Sequence, residues 1–139
     1  MKEKDFEKMV LNAFTGHRNI KLWKRNIGAF KSEKRFVRCG QPGQSDIEGL
    51  IKMYYCPKCN RKQWGVHIEI ELKNENGEMT ALQTEWLNVI DEFNGIAFEL
   101  KAIPNETIPA LTERVEKRIT GFRCPDCYEK SQVDKLKGA

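Results

Sequence analysis

The sequence lacks any long hydrophobic run: no apolar stretch approaches the roughly 18 residues that a membrane-spanning helix needs. The first five residues are mostly charged and no apolar stretch follows. We therefore expect no secretory signal, no membrane partner, and a cytoplasmic protein of a bacterial, archaeal or phage-infected host cell. Low-complexity tracts are also absent, and a content of 40% hydrophobic and 32% charged residues excludes a disordered chain. With 139 residues the chain can bury its own core, as one domain with a small appendage.

Acidic residues are scarce in one stretch of the chain. Between Arg18 and Arg38 there are eight basic residues and one acidic residue, a net of +7, whereas the whole chain has a formal net charge of +4. Such asymmetry favours a basic surface that faces a polyanion, and a solvated basic hairpin is the plainer alternative. We expect the following side chains to contact nucleic-acid phosphates: Arg18, Lys21, Lys24, Arg25, Lys31, Lys34, Arg35 and Arg38.

There are only five cysteines, but four of them form two identical C-P-x-C knuckles. Cys56 and Cys59 make the first knuckle, and Cys124 and Cys127 make the second. In a reducing compartment this pattern predicts four thiolates around one structural Zn²⁺, because four protein ligands leave no open position for catalysis. Two redox pairs or buried thiols are the alternatives. Cys39 is expected to be a small buried apolar residue.

Hydrophobic periodicity predicts a mixed α/β domain. The clearest strand is 64–72, where Val66, Ile68 and Ile70 alternate with polar residues. Strand 46–55 would pair with it as a hairpin, with the first knuckle at the tip. The full set of predicted elements is helix 3–14, strands 20–23, 36–39, 46–55 and 64–72, helix 80–93 capped by Thr80, strand 96–100 and helix 109–119.

Carboxylates and a lysine occupy the polar side of strand 64–72. Glu71 and Lys73 are two residues apart, so they project from the same face with a spacing of about 6.5–7 Å. Asp46 begins the preceding strand and would lie across from Glu71 if the two strands pair. Two carboxylates and the backbone carbonyl of Leu72 would form a hard-oxygen site that suits Mg²⁺. Such a site supports phosphodiester hydrolysis, with Lys73 orienting or helping to deprotonate the attacking water.

Asp46 followed by Glu71-Leu72-Lys73 is the D…E-x-K arrangement of the PD-(D/E)xK nucleases, with a serine where the aspartate is usually preceded by proline. Within this superfamily the chain resembles the VRR-NUC group, which shares its core with archaeal-type Holliday junction resolvases. The resemblance spans roughly residues 3–100. It is carried by segments 25–28 and 37–47, and by Gly77, Thr80, Gln83 and Trp86 after the E-x-K motif. The glycines and proline of loop 40–45 would let the chain turn sharply and a large ligand come close.

The resemblance implies a restriction-endonuclease-like fold for residues 1–121, with a knuckle insertion at 54–64, followed by the second knuckle and a tail at 122–139. It also implies a Mg²⁺- or Mn²⁺-dependent endonuclease that hydrolyses DNA, with branched or structured DNA as the expected substrate. Glu7 is expected to be a further metal ligand from the first helix, with Glu3 as the fallback. Gln83 matches the glutamine beside the catalytic lysine. Paired cuts in a junction would require a homodimer.

Plainer interpretations stay open. Glu71 and Lys73 could form a salt bridge on an exposed strand face, and Asp46 could be an ordinary turn residue. The chain could be a catalytically inactive nucleic-acid-binding module on the same fold, with zinc as a scaffold. A protein-interaction adaptor built on the zinc knuckles is a third possibility.

Neighbouring residues have less specific expectations. Glu69 is expected to support the site or to be an exposed neighbour, and His67 to be structural or to contact phosphate. Trp86 is expected to be a core residue. The aromatic residues flanking the first knuckle could stack on bases or pack around the zinc: Tyr54, Tyr55 and Trp64.

Overall fold

A computed structural model describes residues 1–25, 28–32, 35–39, 43–55 and 62–120. For residues 28–32, 35–39, 54–55, 62–63 and 120 it describes the backbone only. The described residues form three helices, which are α1 (Glu3–Ala13), α2 (Ala81–Glu92) and α3 (Ile108–Thr120). They also form six strands, which are β1 (Ile20–Lys24), β2 (Gly28–Ser32), β3 (Arg35–Cys39), β4 (Ile47–Tyr55), β5 (Lys62–Lys73) and β6 (Ile96–Lys101).

Four strands form one mixed sheet in the order β1-β4-β5-β6. Strands β1, β4 and β5 are antiparallel neighbours, whereas β6 runs parallel to β5. Parallel strands need a crossover connection, and α2 provides it. Strands β2 and β3 form a separate antiparallel pair. The described part of the chain is therefore an α+β structure with a mixed sheet, as the sequence predicted.

One face of the four-stranded sheet carries the hydrophobic core. Alternate residues of β5, such as Ile68 and Ile70, are fully buried there. They belong to one cluster with Phe6 and Val10 of α1 and with Leu111 of α3. Because alternate strand residues form this apolar face, the apolar sides of α1 and α3 pack against it. We call it the core face.

The other face of the sheet is covered in part by α2, which packs against β5 and β6. This face, called the polar face here, carries the residues of β5 that alternate with its core residues. Three of these charged residues are nevertheless buried, namely Glu69, Glu71 and Lys73. Burying charged groups is costly unless they have partners. Packing alone therefore does not explain why charged residues are placed on the polar face of β5.

The predicted elements agree closely with the observed ones. The helices at 3–14, 80–93 and 109–119 and the strands at 46–55, 64–72 and 96–100 are confirmed to within two residues, and the largest difference is the start of β5 two residues earlier. Strand β2 was not predicted, because its five residues show no clear alternation. No helix among the described residues has the length and apolar character needed to cross a membrane.

Both cysteine knuckles lie outside the described residues, and so does the tail. The predicted zinc ligands there are Cys56, Cys59, Cys124 and Cys127. Zinc binding by these residues therefore stays a prediction, as does the division of the chain at residues 121 and 122.

Candidate functional site

Asp46 and Glu71 meet on the polar face at one end of β4 and β5. Ile47 pairs with Ile70, and both are fully buried on the core face. Their neighbours Asp46 and Glu71 must then project to the opposite side of the sheet. The Asp46 carboxylate is held in place there, because its Oδ2 accepts a hydrogen bond of 3.0 Å from the backbone N–H of Leu72.

The carboxylate of Glu71 is buried and only half satisfied. The residue is 2% exposed. Its Oε1 accepts a hydrogen bond of 2.8 Å from Gln83 Nε2 and lies 3.6 Å from Lys73 Nζ. Its Oε2 is buried and has no hydrogen-bond donor in the structure. The exposed salt bridge considered above is therefore not what the structure shows, since Glu71 and Lys73 are both buried.

The electrostatic surroundings of Glu71 favour its neutral form. Burial raises the pKa of Glu71, and the nearby charge of Asp46 raises this pKa further, to about 8. Lys73 opposes the rise in the pKa but does not cancel it. Two adjacent carboxylates cannot both ionise cheaply, so they must share a proton or hold a cation.

A cavity of about 360 Å³ opens beside Asp46. Its lining consists of Glu3, Lys4, Glu7, Lys24, Asp46 and Leu72. Both candidate carboxylates of α1 thus face the same cavity as Asp46. Glu7 is the more buried of the site's two possible helix ligands, and its Oε1 lies 3.4 Å from Lys24 Nζ. Glu71, Lys73 and Gln83, which we call the Glu71 cluster, do not line this cavity. Asp46 connects the two, because it lines the cavity and its charge acts on Glu71.

The donor set fits a hard cation only in part. The orphaned Glu71 Oε2 and the Asp46 carboxylate are oxygen ligands of the kind that Mg²⁺ prefers. The N–H and C=O of one strand residue point to the same edge, so the Leu72 carbonyl faces the side on which Asp46 accepts its N–H. Within the described ranges, however, no three His, Cys, Asp or Glu side chains are grouped so that they could hold a metal. A ligand role for Glu7 or Glu3 stays a prediction.

Gln83 is positioned by the start of α2. Thr80 caps the helix by accepting from the backbone N–H of Gln83, and Gln83 Oε1 accepts from the backbone N–H of Thr80 at 2.9 Å. This reciprocal capping box leaves Nε2 of Gln83 free to turn toward Glu71. The pattern Thr80-x-x-Gln83 in the sequence is typical of a capping box. The cap at Thr80 was predicted from the sequence, but the reciprocal hydrogen bond to Gln83 was not.

Beside the Glu71 cluster, Glu69 is the centre of a second buried network. Its Oε1 accepts from Trp86 Nε1 at 2.7 Å and lies 3.4 Å from the Arg25 guanidinium. Its Oε2 lies 2.8 Å from His67 Nε2. Glu69 is fully buried and is therefore not an exposed neighbour, and Trp86 is half-buried and donates a hydrogen bond. The expectation that Trp86 serves only the core is therefore corrected.

Arg25 and Glu48 extend this network to the neighbouring strands. The Arg25 guanidinium contacts the Glu48 carboxylate, and Trp23 Nε1 donates to Glu48 at 2.9 Å. Burial by itself raises the pKa of Glu48, but the hydrogen bonds from Trp23 and Arg25 and the Arg25 charge hold it below its ordinary value. The backbone N–H of Arg25 donates to the carbonyl of Asp46 at 2.9 Å. The network therefore also fixes the backbone at Asp46.

The predicted phosphate contacts have different surroundings. Arg18 and Lys21 are exposed, and Lys24 is exposed beside Glu7. The Arg25 side chain is only 11% exposed and is engaged by two carboxylates, which does not favour it as a phosphate contact. Lys34 lies outside the described residues, and only the backbone is described for Lys31, Arg35 and Arg38. Their phosphate contacts stay predictions.

Gly43 serves the packing of the loop that precedes Asp46. Its φ is +81°, a conformation that favours glycine. A Cβ at this position would lie 2.4 Å from the carbonyl oxygen of Leu82 in α2. Gly43 thus serves the expected sharp turn and also lets α2 approach closely, while the approach of a ligand to this loop stays a prediction.

Neither the protein-family models nor the curated proteins include one that matches this chain. The resemblance to the VRR-NUC group therefore rests on the residues quoted above.

Proposed function

We propose that this protein is a Mg²⁺- or Mn²⁺-dependent endonuclease that hydrolyses phosphodiester bonds in DNA, on a restriction-endonuclease-like core. The main support is the buried pair of Asp46 and Glu71, in which Glu71 Oε2 has no donor while Oε1 lies 3.6 Å from Lys73 Nζ. The element order also supports it, because a helix, three antiparallel strands, a crossover helix and a parallel strand place the D…E-x-K residues at one end of the sheet.

Each residue of the Asp46 and Glu71 cluster has a role in this proposal. Asp46, Glu71 and the carbonyl of Leu72 would hold the cation, and Glu7 would face it across the cavity. A bound Mg²⁺ or Mn²⁺ would stabilise negative charge on the scissile phosphate and make water a better nucleophile. Gln83 holds Glu71 in one orientation through its hydrogen bond to Oε1. Lys73 would orient the attacking water, accept its proton or counter the developing charge.

The expected substrate is branched or structured DNA. Basic residues concentrated between Arg18 and Arg38 would hold the sugar-phosphate backbone without reading its sequence. A junction-resolvase activity would require a homodimer that presents two sites. Dimerisation is part of this proposal.

A structural zinc ion completes the proposal. Cys56, Cys59, Cys124 and Cys127 would hold it and tie two distant segments together. Such thiolate sites contribute apparent binding energies of about 10–16 kcal/mol, so Cys124→Ser should lose the metal and melt at a clearly lower temperature. Metal analysis of protein made under reducing conditions should find one zinc per chain, and a chain without zinc would contradict this part of the proposal.

A catalytically inactive nucleic-acid-binding module on the same fold is the second candidate. It is favoured by one observation, namely that no described set of three metal-binding side chains is assembled. It is opposed by Asp46, Glu71 and Lys73, since a protein that only binds has no need of a buried, half-satisfied carboxylate.

A cleavage assay distinguishes the two candidates. Duplex, flap, fork and four-way junction DNA are each incubated with the protein and Mg²⁺ or Mn²⁺. We expect cleavage of at least one substrate, and its abolition in Glu71→Gln and in Lys73→Ala with DNA binding retained. Glu78→Gln is the matched control, because this glutamate side chain is 89% exposed and should leave cleavage unchanged. Undiminished activity in both Glu71→Gln and Lys73→Ala would overturn the site assignment.

A further inference from the structure

In the part of the chain that the structure describes, the polar face of the sheet is exposed where β1 and β4 form it. Helix α2 packs on β5 and β6, whereas Trp23 is 41% exposed and Leu50 is 51% exposed. Lys21 pairs with Leu50, and Trp23 pairs with Glu48, so these side chains share one surface. Trp23 and Leu50 are diagonal neighbours, within reach of each other for an aromatic side chain. We call this surface the open face.

The exposed indole of the open face is held in a fixed orientation. Trp23 Nε1 donates a hydrogen bond to Glu48, whose carboxylate is also engaged by Arg25. The polar edge of the indole is thus satisfied while its ring remains accessible. A rigid, accessible indole beside an aliphatic side chain is a surface on which a planar group can stack.

Basic side chains border the open face on the side away from Asp46. A cavity of about 470 Å³ there is lined by Arg18, Lys21 and Lys52 together with Leu50, and no acidic residue is among its described lining. Lys52 pairs with Gly65 of β5, which is exposed. The surface therefore combines a stacking platform with the exposed cations Arg18 and Lys21, which complements a chain of bases and phosphates.

We infer that the open face binds unpaired nucleotides of a single-stranded nucleic acid, with a base stacked on Trp23 and phosphates near Arg18 and Lys21. Bases inside a duplex are stacked on their neighbours and only the terminal pairs present a free face, so stacking on the indole favours unpaired nucleotides. Single-strand binding is inferred from these residues alone, and only its role in guiding a DNA substrate to be cut rests on the proposed function.

The open face leads along β4 to the candidate site. Asp46, Glu48, Leu50 and Lys52 follow one another at every second residue, which spans about 20 Å at the usual rise of a strand. A single-stranded arm bound along this line would end beside Asp46. A substrate with both paired and unpaired parts, such as a fork or a flap, would therefore be preferred over plain duplex.

Binding without added divalent metal tests the inference separately from cleavage. A labelled 12-nucleotide single strand, as DNA and as RNA, is titrated with the full chain, and a duplex of the same length serves as comparison. Trp23→Ala should weaken single-strand binding about 5- to 150-fold, since stacking contributes about 1–3 kcal/mol per base. Trp23→Phe should retain most of the affinity. Duplex affinity should change little, and the DNA and RNA arms show whether one sugar is preferred.

Two further variants keep the test independent of the folding of Trp23→Ala. Gly65 has open space where a side chain would project, so Gly65→Glu and Gly65→Gln can be compared at equal size. Only the glutamate should weaken single-strand binding, by adding a negative charge beside Lys52. Phe93→Ala is the aromatic control, because Phe93 is 82% exposed on the segment that follows α2. It should bind like the unmodified chain.

Photocrosslinking of a single-stranded oligonucleotide to the unmodified chain should label the peptide that contains Trp23. The inference is overturned if the crosslinks map elsewhere, if Trp23→Ala binds as tightly as the unmodified chain, or if duplex binding falls equally. Self-association that masks Trp23 at assay concentrations, detected by light scattering, would also overturn it by assigning the open face to a second copy. If the unmodified chain binds single strands through Trp23 but cleaves no DNA, that result would count only against the nuclease proposal.

Discussion

Glu69 and Glu71 lie two residues apart on the polar face of β5, and their surroundings differ. Glu69 is 0% exposed and both of its oxygens have partners, from Trp86, Arg25 and His67. Glu71 is 2% exposed, but only one of its oxygens has a partner. The charge of Asp46 disfavours the ionised form of Glu71 and raises its pKa.

The difference shows how the same residue type can serve structure or chemistry on one strand. A buried carboxylate with complete partners stabilises the strands that it joins. A buried carboxylate without them stores an unfavourable interaction, and such interactions cluster at functional sites. We therefore expect changes at Glu69 to alter stability and changes at Glu71 to alter chemistry.

The largest expected effect on stability is the pH dependence that Glu71 imposes. The pKa of Glu71 is raised from 4.5 to about 8 in the folded chain. The folded state thus retains a proton that the unfolded state loses, so stability is full below pH 4.5 and declines as the pH rises to about 8. The total is roughly 5 kcal/mol. Glu71→Gln should remove this decline, so at pH 8 and above the variant should be more stable than the unmodified chain.

Urea unfolding at several pH values between 5 and 9, without added Mg²⁺ or Mn²⁺, measures this decline. Subtracting the Glu71→Gln curve from that of the unmodified chain isolates Glu71 from other titrating groups. Parallel curves would show that Glu71 has an ordinary pKa.

The matched change at Glu69 should have the opposite sign. Glu69→Gln keeps the size of the side chain but removes the charge that faces Arg25 and His67. Breaking a buried, hydrogen-bonded ion pair by removing one partner should cost about 3 kcal/mol. The free energy of unfolding at pH 7 measures it, and the activity per folded molecule should persist. A stability equal to that of the unmodified chain would mean that the network around Glu69 is not what joins these strands.

The elements that position Glu71 were predictable, whereas the network around Glu69 was not. Alternation along β5 predicted that Glu71 and Lys73 share a face, and the pairing with β4 brought Asp46 to the same end. Periodicity could do this because it reports which side of a strand faces the core. Of the partners of Glu69, His67 lies two residues away on the same face of β5, as alternation predicts. Trp86 comes from α2 and Arg25 follows β1, and nothing in their spacing along the sequence indicates that they meet Glu69.

Local chemistry also explains two smaller differences between the predicted and the observed structure. The five residues of β2 are too short and too irregular in polarity to predict a strand. Trp86 was assigned to the core by its helical spacing, and its indole N–H requires the partner that Glu69 provides.

Metal affinity should depend on pH through the same proton. Below about pH 8 a cation must displace the proton that Glu71 holds, so the apparent affinity for Mn²⁺ should fall about tenfold for each unit of pH. Calorimetry in buffers of different ionisation enthalpy should detect close to one proton released per metal at pH 7. An affinity that stays constant between pH 6 and 8 would separate Glu71 from metal binding.

The smallest expected effect comes from Gln83, which joins the capping box of α2 to Glu71. Gln83→Glu retains the oxygen that accepts from the Thr80 N–H, so the cap should persist. It replaces the donor to Glu71 Oε1 with another carboxylate oxygen, which should raise the pKa of Glu71 further and weaken Mn²⁺ binding at pH 7 about tenfold. Thr80→Ala is the converse control: it should cost about 1 kcal/mol of stability through the lost cap and leave the pH dependence of metal binding unchanged. Equal metal affinities in both variants would mean that Gln83 caps the helix and does nothing for Glu71.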